Sequence, residues 1–124
     1  MAISNPYQQY QQNSIMSANP GQLTLMLYNG AIRFIKTAIN SMGKKDISAT
    51  NNALIRAQDI VRYLDETLNH DYEIAEQFSL LYDYIYRRLI EANLKKDVSI
   101  LNELEKMVEE LRDTWTTVIK ENIK

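Results

Sequence analysis

The sequence predicts an all-α fold, an antiparallel up-down four-helix bundle preceded by a short N-terminal cap segment. Three observations predict it. Apolar residues recur at helical spacing in four stretches. The connections between those stretches are only about four or five residues long, which forces long neighbouring helices to run antiparallel. No run alternates with the period of a strand, and no solenoid-length repeat competes.

The first helix opens at Asn19-Pro20, where Asn19 can cap, Pro20 suits the first helical position and Gln22 stands three residues after the cap. Gly43 stops it. Its apolar residues, from Leu23, Leu25, Leu27 and Tyr28 through Ile32 and Ile35 to Met42, spread over about 200° of surface, against an ordinary stripe slightly wider than about 100°. A helix this apolar needs neighbours on both sides, within its own fold or from a partner. Gly30 interrupts its interior at a helix cost of about 1 kcal/mol relative to alanine, which suggests a close backbone approach.

The second helix begins near Ser48, carries Ala53, Leu54, Ala57, Ile60, Val61, Leu64 and Leu68 on an arc of about 120°, and ends at Asn69-His70-Asp71. Ile55 stands apart from that stripe, beside Asp59, Arg62 and Glu66, and with Tyr63 makes a patch only if another surface adds apolar area. The third helix has Ile74, Phe78, Leu81, Ile85, Leu89 and Ala92 on a seam, with Tyr82, Tyr86 and Ile90 beside it. Tyr82, Tyr84 and Tyr86 alternate, so on a helix successive rings turn by about 200° and point apart. Tyr84 therefore needs either another helix or a bound partner. Asp97 can cap the fourth helix, whose seam of Leu101, Leu104, Val108, Leu111, Trp115 and Val118 steps by three and four between Glu- and Lys-rich flanks.

Residues 1–18 differ: polar, uncharged, with Tyr7 and Tyr10 one helical turn apart. The expectation is a mobile N-terminal segment over 1–18 and the bundle domain over 19–124. The two tyrosines could anchor that segment over an empty apolar groove.

Catalysis needs converging polar groups, and few are offered. His70 is the only histidine and sits in a loop. A di-iron bundle would need Glu-x-x-His pairs on two helices, and phosphate-cradling glycine loops are missing. An enzyme, a cofactor and a metal site are not expected. With 14 basic and 16 acidic residues the net charge of −2 gives no whole-chain attraction to nucleic acid. No apolar run approaches the ~18 residues that span a bilayer, so membrane insertion is not expected. The absence of cysteine and of a basic, then apolar, leader fits a cytoplasmic chain.

The blocks Asn19 to Phe34, Leu81 to Asn93 and Glu110 to Trp115, with the paired start Tyr7 and Tyr10, resemble the flagellar secretion chaperone FliS family, in the right order over essentially the whole chain. Asn29 stands where that family often has Asp, and Gly21 where it often has Glu. The resemblance implies a chaperone that holds the disordered C-terminal segment of flagellin in apolar grooves until export. The wide arcs suit a client that folds on binding as short amphipathic helices. On this reading the expected groove residues are Leu25, Tyr28, Ile32, Ile35, Ile55, Tyr63, Tyr82, Tyr84, Tyr86 and Ile90, with Leu27 in the core and Leu25 or Ile32 nearer the groove. The resemblance also implies contact of Tyr7 and Tyr10 with the export gate. The alternative from the residues is a structural or signalling four-helix module that self-associates through the same faces.

Overall fold

The computed structural model describes residues 20–122, with side chains described over 21–117. The expectations for the 1–18 segment, Tyr7, Tyr10, Asn19 and Val118 lie outside the described residues or side chains. Four helices follow in order: α1 (Pro20–Gly43), α2 (Ile47–Glu66), α3 (Ile74–Lys95) and α4 (Val98–Asn122). At 20 to 25 residues they run about 30 to 37 Å.

Cross-helix pairs fix the directions. Arg112 reaches Asn29 and the Trp115 indole reaches Gly21, so α4 runs antiparallel to α1. Ser79 meets Asp65 while Arg62 meets Tyr86, so α3 runs antiparallel to α2. Each helix packs on its two sequential or closing neighbours, α1 most extensively on α2, and α3 least closely on α4.

Local chemistry explains the boundaries. The Asp46 carboxylate accepts from the Ala49 N–H and starts α2 at Ile47, one residue before Ser48. Helix α2 ends at Glu66, earlier than the Asn69 to Asp71 stop expected, so the connection occupies residues 67–73. The Thr67 hydroxyl donates to the Tyr63 carbonyl at 2.9 Å and satisfies part of that end. Lys96 takes the left-handed conformation at φ 52° and closes α3, its ammonium donating to Asn93 and, 3.0 Å away, to Asn51 on α2. The Asp97 carboxylate accepts from the Ser99 backbone and hydroxyl, as expected of a cap for α4.

The core joins all four helices, centred on Tyr28, Ile35, Leu54, Ile85, Leu89, Leu101 and Leu104. The wide arc of α1 finds its cover here: α2 and α4 flank it, and α3 reaches it through Tyr82. This corrects two expectations. Ile32 is 4% exposed and Ile35 wholly buried, so both belong to the core and not to an open groove, whereas Leu25 is half-buried. On α3 the buried residues are Ala75, Tyr82, Ile85, Leu89 and Ala92, while Ile74 and Leu81 are exposed. The first half of α3 turns toward α1, where the Tyr82 ring finds Tyr28, and carries Leu81 to the loosely packed α4 side.

Candidate functional site

The tyrosines of α3 sort themselves by partner. The Tyr82 hydroxyl lies 2.6 Å from that of Tyr28 inside the core. The Tyr86 hydroxyl accepts from the Arg62 guanidinium at 2.7 Å, and that guanidinium also lies 5.1 Å from the Tyr86 ring centre. The Tyr84 hydroxyl donates to Glu103 on α4 at 2.8 Å. Side chains 200° apart on one helix can meet only different neighbours. Of the two partners its position allowed, another helix or a bound segment, Tyr84 meets a helix, α4.

The ten expected groove residues do not form one groove. Tyr28 and Tyr82 are 1% and 3% exposed and, like Ile32 and Ile35, belong to the core. Burial raises both phenols above the ordinary tyrosine range. Tyr86 and Ile90 are half-buried, Tyr86 against α2. Ile55 and Tyr63, 49% and 41% exposed, stand on the outer face of α2. Tyr84 faces α4 on the far side of α3.

Two apolar openings mark the surface of the bundle. One, of about 350 Å³, lies at the end of the bundle where α1 begins, α2 ends and α3 begins, lined by Leu64, Leu68, Phe78 and Trp115 and floored by Tyr28 and Tyr82. The Phe78 and Tyr82 rings stack 6.2 Å apart along its wall. The Trp115 Nε1–H donates to the Gly21 carbonyl at 2.9 Å, tying α4 to the first turn of α1. The second opening, about 140 Å³, lies between α3 and α4 and is lined by Leu81, Met107, Leu111, Glu110 and Thr114. Leu80, 72% exposed, continues the apolar surface beside it. Neither Leu80 nor Met107 was singled out from the sequence; the doublet Leu80-Leu81 was the available signal, since a pair of adjacent leucines cannot both face one seam.

Charges frame the second opening. The Glu103 carboxylate accepts from Tyr84 and, at 3.1 Å, from Arg88 Nη2, while Arg88 Nη1 donates to Glu91 at 2.7 Å. The hydrogen bond from Tyr84, then that from Arg88, holds Glu103 below the usual carboxylate range. On the other side of α4, Lys36 of α1 pairs with Glu105 and lies 3.7 Å from Glu109.

Among the described residues no group of His, Cys, Asp or Glu could hold a metal ion, and no helix is long and apolar enough to cross a membrane. His70 is exposed in the loop between α2 and α3. What the surface offers is apolar area in open channels between helices, which suits an amphipathic segment.

Comparison with known proteins agrees with this description. Residues 3–122 match the model of the family described as flagellar protein FliS. The chain is 47% identical over 120 residues to the flagellar secretion chaperone FliS of Bacillus subtilis (strain 168), covering 97% of this chain and 90% of that one. It is 34% identical to the protein of the same name from Salmonella typhimurium, covering 86% and 82% of the two chains. A solved structure described as a flagellar chaperone from bacteria superposes with a TM-score of 0.79 at 20% identity, over 94% of this chain and 97% of that one, and so shares the fold.

Proposed function

The chain belongs to the flagellar protein FliS family, and from that membership we propose that it is a cytoplasmic export chaperone which binds the disordered C-terminal segment of flagellin, prevents premature polymerisation and keeps the subunit competent for export. The observation that carries this reading is the open apolar channel between α3 and α4, lined by Leu81, Met107 and Leu111 and left uncovered among the described residues. A client helix with apolar residues on one face would cover it.

A disordered client gives up part of its interaction energy to ordering, so a large contact can remain reversible. That suits a chaperone that must release its cargo at the export gate. No nucleotide takes part in binding. Residues 1–18 act in this reading as a removable cap, Tyr7 and Tyr10 shielding apolar surface until the client displaces them or the gate engages them.

Sedimentation of the protein alone and with a C-terminal flagellin peptide tests the reading. It requires a monomer that becomes a one-to-one complex. A concentration-dependent oligomer indifferent to the peptide would instead mark a self-associating four-helix module.

A further inference from the structure

Glu103 supplies the side-chain hydrogen bonds and ion pair that join α4 to α3 among the described residues. Its two oxygens are divided between two side chains of α3: Oε2 accepts from the Tyr84 hydroxyl at 2.8 Å and Oε1 from Arg88 Nη2 at 3.1 Å. Arg88 is itself held, since Nη1 donates to Glu91 at 2.7 Å and Lys95 braces the other oxygen of Glu91 at 2.8 Å. The Arg88 guanidinium also lies 5.9 Å from the Tyr84 ring centre, and its Nε is buried with no hydrogen-bond partner. A guanidinium with one edge already desolvated depends on its two carboxylates for position.

The place of this clasp matters more than its strength. Along α4, Met107 and Leu111 stand four and eight residues beyond Glu103, stacked on the same side. Along α3, Leu81 stands three residues before Tyr84, one turn away. The clasp therefore closes α3 on α4 at one level, and one turn further the 140 Å³ opening begins between Leu81 and Met107. This is also the least closely packed pair of adjacent helices in the bundle, so their backbones stand furthest apart where the channel opens.

We propose that Glu103 is a positioning residue that sets the separation of α3 and α4, and thereby the width at which the Leu81–Met107–Leu111 channel receives an amphipathic helix of the client. This deepens the flagellin-binding reading and rests on it for the identity of the occupant. The action is indirect: Glu103 holds Tyr84 and Arg88, and they hold the channel wall. A channel kept at one width avoids the ordering cost that a wandering wall would add to each binding event.

The test uses the full chain. Glu103→Ala weakens the affinity for a C-terminal flagellin peptide at least about tenfold, with a thermal midpoint moved by no more than about 4 °C. Glu103→Gln, which keeps an acceptor for Tyr84 but loses the charge facing Arg88, recovers part of the affinity. It also decides the matter if the alanine variant fails to fold. Glu109→Ala, the same loss of charge on the α1 side of α4, leaves affinity unchanged. Because the sequence has no cysteine, spin labels on Gln77→Cys and Lys106→Cys report the α3–α4 distance without a client. That distribution is narrow with Glu103 and broad with alanine. Affinity of Glu103→Ala within twofold of the parent, or an unbroadened distance distribution, overturns the proposal. A parent chain that does not bind the peptide at all overturns the flagellin reading, and the spin-label distances then still judge the clasp.

Discussion

Tyr28 of α1 and Tyr82 of α3 meet hydroxyl to hydroxyl at 2.6 Å across the centre of the bundle, their ring centres 6.5 Å apart. The pair joins helices that are not sequence neighbours, and it floors the cavity at the end of the bundle. A buried hydroxyl left without its partner costs roughly 1 to 3 kcal/mol, whereas removing both partners and keeping both rings is close to neutral. Tyr82→Phe and Tyr28→Phe should each be destabilising by about that amount, and the double variant should recover most of it. Denaturant midpoints of the four proteins measure the coupling; additive losses would show that the hydroxyls act independently.

Leu27 and Ile32 now fall in one class. Both are buried, at 3% and 4% exposure, so Leu27→Ala should cost about 2 to 5 kcal/mol. Ile32→Asp, which puts a charge into the same core, should prevent stable folding and not act on binding alone. Ile55→Ala, on the exposed face of α2, should change stability by less than about 0.5 kcal/mol. Thermal melts of the three variants check the order.

Much of this was legible in the sequence, and what was not has a definite physical origin. The four helices and the seam of α4 through Leu101, Leu104 and Val108 follow from spacing, because each is set by residues on one segment. Which part of α1 is covered depends on how many helices surround it, and periodicity does not say. Ile32 and Ile35 therefore look available in the sequence and are enclosed in the fold. The one-position shift that buries Ala75 and Tyr82 and exposes Ile74 and Leu81 accompanies the meeting of Tyr82 with Tyr28, a pair 54 positions apart. For Tyr84 the spacing leaves two partners open, another helix or a bound segment, and Glu103 emerges as its partner only once α3 and α4 lie side by side.

Acid should loosen the same edge. The Glu103 carboxyl is held low by Tyr84 and Arg88, Glu91 by Lys95 and Arg88, and Asp97 by Ser99. A carboxyl whose folded pKa lies below its unfolded value stabilises the fold above the unfolded value, about 4 for these side chains, and that contribution fades as pH falls through the lower folded value. These groups are exposed to solvent, so the effect is modest and weakened by salt. Between pH 5 and 3 the parent should therefore lose more stability than Glu103→Gln. Parallel pH dependence in the two proteins would show that Glu103 makes no contribution there.

Trp115 is the sole tryptophan and lines the end cavity with Phe78 and Leu68. Its emission reports on that opening without a label. A client segment that seats an apolar side chain there should shift the emission and slow quenching by iodide, while one confined to the α3–α4 channel should leave both unchanged. Fluorescence titration of the parent and of Trp115→Phe, as a blank, separates the two placements.

The central claim is that apolar channels on this bundle receive and fold a disordered flagellin segment. Titration calorimetry of the full chain with a C-terminal flagellin peptide, at several temperatures and two salt concentrations, tests it most directly. The account predicts one-to-one binding with a clearly negative heat-capacity change and little dependence on salt. No binding, or binding with a heat-capacity change near zero that disappears in high salt, would contradict it.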